Sequence, residues 1–91
     1  SPAIRVIDEF RKVGAEVDFY DPWIAQYREH GKIEKGLREI TPEIIAGYDL
    51  AIITTAHTNV DYEMIQKNAK VIFDTKNVTK NLTDKSNIEV L

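Results

Sequence analysis

Gly14-Ala15-Glu16-Val17-Asp18-Phe19-Tyr20-Asp21-Pro22 is the stretch that decides the fold. A glycine closes an amphipathic segment, and Val17, Phe19 and Tyr20 then form a short apolar run ending in an acid and a proline. Helix, turn and strand in that order are half of a parallel βαβ unit. Upstream, Ala3, Val6, Ile7, Phe10 and Val13 recur at three- and four-residue steps, while Arg5, Asp8, Glu9, Arg11 and Lys12 cover the other faces. Ser1 is a favoured N-cap and Pro2 is tolerated at the first helical position, where no backbone donor is needed. Gly14 is expected to end the helix as a left-handed cap. A strand is expected before such a helix, and neither it nor an initiator Met is in this sequence. The expectation is therefore a fragment, residues 1–91 of a larger protein, lacking the first strand of its sheet.

Downstream, Trp23 to Glu39, polar and charged from Gln26 to Lys35 and interrupted by Gly31 and Gly36, reads as an excursion loop with a short edge strand at 37–40. Thr41-Pro42-Glu43 is a helix start that runs to a stop at Gly47. The apolar run at 49–55 turns polar at its end, which predicts a central strand buried on both faces. Asn59 or Asp61 caps a helix over 61–68, striped with Val60, Met64 and Ile65. Residues 70–75 repeat the strand pattern, 76–87 read as loop, and 88–91 as a last edge strand. Strands alternating with helices at this spacing predict an α/β fold: a three-layer, Rossmann-like open parallel sheet with helices on both faces, truncated at its N-terminus.

Ninety-one residues make one small domain, able to bury roughly 60 per cent of its unfolded surface. A net charge of −3 with scattered Lys and Arg argues against a nucleic-acid surface. Zero Cys excludes disulfides, metal-thiolate sites and a cysteine nucleophile from this stretch and fits a reducing, cytoplasmic setting. No apolar run reaches the ~18 residues that span a bilayer.

In open parallel sheets ligands bind beyond the carboxyl ends of the strands, so Asp21, residues 54–57 and residues 74–77 are the candidates. Asp21 reads either as an acid for a ribose hydroxyl or as an Asp-Pro turn, and the absence of any G-x-G-x-x-G favours the turn. Thr55 and His57 offer a hydroxyl and an imidazole without a visible catalytic partner; His30 reads as solvated. Asp74-Thr75-Lys76-Asn77 is the more suggestive group, since a cation and hydrogen-bonding side chains at a strand end suit a negative ligand. Tyr20, Trp23 and Tyr27 read as a stacking surface or, in preference, as a patch that packs on a neighbouring domain.

Four segments taken together, Ser1 to Ile7, Gly14 to Pro22, Tyr48 to His57 and Val71 to Asn77, resemble the C-terminal domain of the UDP-glucose/GDP-mannose dehydrogenase family. The resemblance implies a parent enzyme of polysaccharide biosynthesis that oxidises the C6 hydroxyl of a nucleotide sugar to a carboxylate with NAD. It implies a cofactor bound by an N-terminal domain, a catalytic cysteine, lysine and asparagine outside this stretch, and a homo-oligomer. The family's basic substrate contact in an Asp-Thr-Arg-Asn segment maps onto Lys76, where lysine offers a point charge in place of a planar fork. Thr55, His57 and Asp74 are weaker substrate-binding candidates, and Ala56 stands where the family pattern carries an acid. Two other readings remain at this point. One is a stand-alone nucleotide-binding module in which Asp21 holds the ribose; the other is an interaction domain that meets a partner through residues 26–36.

Overall fold

The first helix, α1 (Pro2–Lys12), ends as its sequence demands. Gly14 takes φ +91°, its amide donates to the Arg11 carbonyl at 3.0 Å, and the Ala15 amide donates to the Phe10 carbonyl at 3.1 Å. These two bonds are the paired closure that a left-handed glycine permits. The computed structural model describes residues 2–29 and 31–91, so the cap role expected of Ser1 and the reading of His30 lie outside the described residues. The described residues divide into two compact units, one running to Ile40 and the other Thr41–Leu91.

In the first unit the structure corrects two expectations. Residues 17–20 form no strand: the Phe19 carbonyl accepts one bond, from the Leu37 amide at 2.8 Å, and no ladder develops on either side. Apolar alternation makes a strand only where a neighbour supplies a row of backbone partners. The stretch read as a polar loop is instead an antiparallel hairpin, β1 (Gln26–Glu29) paired with β2 (Lys32–Lys35), and 37–40 is not a strand. Gly31, read as a breaker, takes φ +77° at the hairpin turn, the conformation a tight turn requires. The Gly36 amide continues the pairing to the Ala25 carbonyl at 2.8 Å. Tyr27 tilts against Phe19 at 5.2 Å between centroids. Arg11 donates to Glu34 Oε1 and to the Val17 carbonyl, each at 2.9 Å, and so ties helix, connector and hairpin.

The second unit follows the sequence more closely. Thr41 Oγ1 accepts from the Ile44 amide at 3.2 Å and starts α2 (Pro42–Ala46). Asp61 Oδ1 accepts from the Met64 amide at 3.0 Å and starts α3 (Tyr62–Asn68). Three short strands, β3 (Ala51–Ile53), β4 (Ile72–Asp74) and β5 (Ile88–Val90), form a parallel sheet in the order β3-β4-β5. The result is a mixed α/β, Rossmann-like fold, as the sequence predicted. One placement differs: the run at 49–55 was expected at the centre, yet β4 is the middle strand and β3 lies at an edge among the described residues. Ile72 on β4 is wholly buried, with Ile53 and Ile65 nearly so. Asn87 donates through Nδ2 to the Gln66 and Ala69 carbonyls at 2.9 and 2.8 Å and closes the C-terminal end of α3.

Candidate functional site

Because β3, β4 and β5 run the same way, the segments that leave β3 and β4 emerge at one edge of the sheet. The pairing of Ile53 with Asp74 sets residues 54 onward beside residues 75 onward. Thr75 fixes that junction, since its amide and its hydroxyl both donate to the Ile53 carbonyl, at 3.1 and 2.7 Å.

Asp74 ends β4 with a carboxylate that has no solvent exposure. Its Oδ1 accepts from the Lys76 amide at 3.0 Å. Its Oδ2 accepts from the Thr79 amide at 2.9 Å and from the Thr79 hydroxyl at 2.6 Å. Burial pushes this carboxyl up, but bonds from the Thr79 side chain and from the Thr79, Lys76 and Val78 amides outweigh it and hold the pKa below the usual carboxylate value. Asn77 completes the loop in a left-handed conformation, φ +54°, which asparagine tolerates better than most residues. The Lys76 side chain is exposed, and no carboxylate lies in ion-pair contact with it among the described residues.

Across the edge, the Tyr62 hydroxyl accepts from the His57 amide at 2.9 Å and stands 3.5 Å from the Thr55 carbonyl. Tyr62 thus holds the backbone of the loop after β3, leaving the Thr55 side chain exposed and His57 half-buried. The structure therefore brings Thr55, His57, Asp74 and Lys76 to the same sheet edge and separates their parts. Lys76 faces outward, whereas Asp74 is turned inward onto its own loop.

Asp21 lies in the other unit, where its Oδ1 accepts from the Trp23 and Ile24 amides at 2.8 and 3.2 Å. It is an Asp-Pro turn, the reading the sequence favoured. Of the three aromatics, Tyr27 packs on Phe19, while Trp23 is 75 % exposed. Thr79 and Tyr62 were not foreseen. Thr79 sits in a stretch of Asn, Thr, Lys and Asp that reads as solvated, and the available signal was an acid ending an apolar strand with a hydroxyl residue shortly after it.

A model of the UDP-glucose/GDP-mannose dehydrogenase family, UDP binding domain, matches residues 1–81. The chain belongs to that family. Searches of curated proteins and of solved structures each returned no match. The parent of such a UDP-binding domain is of dehydrogenase type, which implies NAD, and the residues present here do not fit that cofactor. The turn from β3 into α3, residues 54–61, contains no glycine to admit a pyrophosphate, and the Asp61 carboxylate already occupies the start of α3. No group of metal-ligating side chains occurs, and no helix is long and apolar enough to cross a membrane, among the described residues.

Proposed function

We propose that this UDP-binding domain holds the nucleotide of a UDP-sugar for an NAD-dependent 6-dehydrogenase, with Lys76 as its direct contact. The observation that carries the reading is the Lys76 side chain, exposed and without a carboxylate partner among the described residues, on a loop whose backbone is pinned at the carboxyl edge of the sheet. An ammonium there attracts a diphosphate and gives up no internal ion pair on binding. Thr55 and His57 stand at the same edge as secondary contacts. In this reading the parent enzyme oxidises the sugar's C6 hydroxyl to a carboxylate in the cytoplasm, with NAD and the catalytic residues on other domains, and feeds polysaccharide biosynthesis. The chain alone is expected to produce no NADH from a UDP-sugar.

Calorimetric titration of the chain with UDP tests the proposal. A hydrogen bond to a charged group contributes about 1.5–3 kcal/mol, so Lys76→Ala should weaken binding roughly ten- to a hundredfold. Lys76→Arg should bind as well or better, because its fork can engage two phosphate oxygens. Equal affinity of wild type and Lys76→Ala for UDP, with circular dichroism unchanged, overturns the assignment.

A further inference from the structure

Asp74 and Thr79 are the described polar side chains with essentially no exposure, at 0 % and 1 %, and they are bonded to each other at 2.6 Å. Around this pair the loop after β4 turns its amides inward: those of Lys76 and Thr79 both donate to one carboxylate. Converging main-chain amides are how proteins often bind an external anion. Here the anion is internal, so these two amides are already engaged and the loop meets a negative ligand through its side chains. Asn77, in its left-handed conformation, stands between Lys76 and Val78 where the chain reverses around the carboxylate. Lys76 is thus anchored at its own amide, two residues beyond the anchoring acid, while its ammonium stays outside.

We propose that Asp74 and Thr79 are positioning residues for Lys76, which fix the loop so that the ammonium is presented to the nucleotide's phosphates. The proposal rests on the reading of Lys76 as the substrate contact. Thr79 matters through its hydroxyl, which holds Asp74 Oδ2 in place beside the amides. Thr79→Val removes that donor at nearly constant volume, and Thr79→Ser retains it.

The test measures amide hydrogen exchange and the affinity for UDP in the chain, with each variant made in wild-type and Lys76→Ala backgrounds. Thr79→Val should speed exchange at residues 76, 78 and 79 relative to β3 and α3, and should weaken UDP binding about tenfold, the loss of one bond to a charged group. Thr79→Ser should restore both. In the Lys76→Ala background Thr79→Val should cost no further affinity, because nothing remains to be positioned. Unchanged exchange at residues 76, 78 and 79 overturns the proposal. So does an equal loss of UDP affinity in both backgrounds, which marks a role in the fold alone. If Thr79→Val fails to fold, Asp74→Asn, which keeps the volume and one acceptor oxygen, is read by the same criteria. A chain with no affinity for UDP, or one indifferent to Lys76→Ala, overturns the reading of Lys76 and this role with it. A positioning failure leaves the Lys76→Ala effect standing, which separates the two.

Discussion

The two units are held together by different means. In Thr41–Leu91, β4 is buried between parallel neighbours, and a buried acid organises the loop that follows it. In the unit that runs to Ile40, the joints seen among the described residues between helix, irregular connector and two-stranded hairpin include the Arg11 side chain on Glu34 and on the Val17 carbonyl, the Phe19–Tyr27 ring contact and isolated backbone bonds. Among the described residues, the buried hydrophobic side chains Ile53, Ile65 and Ile72 lie in the second unit and Ile7 in the first. Trp23, Ile24 and Ile33 are exposed in and beside the hairpin, as Val71, Val90 and Leu91 are in the second unit. Burial of non-local contacts makes a rigid platform for a ligand edge, whereas a polar hairpin owes its shape to turn geometry and backbone pairing.

Removing one apolar side chain from each unit should separate the two modes of stabilisation most clearly. Ile72→Ala, at a site with no exposure, should lower unfolding stability by about 2–5 kcal/mol. Ile33→Ala, half-exposed on β2, should stay within about 0.5 kcal/mol. Urea denaturation reads both, and equal losses would show that Ile33 is held as tightly in its own unit as Ile72 is in the sheet.

Asp74→Asn comes next. At neutral pH it should cost about 1.5–3 kcal/mol, since amide and hydroxyl donors lose a charged acceptor. The carboxyl has a folded pKa below its ordinary 3.8, so its contribution is fully present above 3.8 and is lost as the pH falls through the lower, folded value. The gap between wild type and Asp74→Asn should therefore stay constant on acidification to about pH 5 and close only in strong acid. A gap that closes between pH 5 and 7 would contradict the hydrogen-bonded carboxylate.

The first unit has its own point of close fit. A Cβ at Gly36 would stand 2.6 Å from Phe19 Cε2, so Gly36→Ala must displace the ring that Tyr27 packs on. A loss of about 1–3 kcal/mol is expected, the usual cost of overpacking. Gly31→Ala meets no atom within 4 Å and should cost about 1–2 kcal/mol through its left-handed backbone alone. A cavity-making second substitution, Phe19→Leu, should rescue Gly36→Ala and leave Gly31→Ala as it was.

The smallest effect belongs to the Arg11–Glu34 pair, whose side chains are each about one-third exposed. Glu34→Gln should cost at most about 1 kcal/mol and the cost should fade in molar salt. A larger, salt-independent loss would mean that the ion pair, and not the turn, sets the hairpin's place in its unit.

Legibility in the sequence followed the same division. The three strands of the second unit were readable because apolar runs mark them, and α2 and α3 because Thr41 and Asp61 are side-chain caps of ordinary type. The hairpin was missed because Gln-Tyr-Arg-Glu and Lys-Ile-Glu-Lys carry little apolar signal. Gly31 reads equally as a breaker or as the residue a tight turn needs. Residues 17–20 had the alternation of a strand and no ladder to join.

The sequence dictates the alternation of helices with parallel strands over 41–91, the Thr41 and Asp61 caps and the left-handed Gly14, since these depend on side chains a few residues apart. It also placed Lys76 just beyond a strand that ends in an acid. Only the tertiary structure decided that β4 and not β3 is central, that Asp74 turns inward to Thr79 while Lys76 faces out, and that Tyr62 holds the loop after β3. An aspartate at a strand end has the same letters whether it meets a ligand or its own loop. Which it meets depends on the amides that folding brings within hydrogen-bond reach.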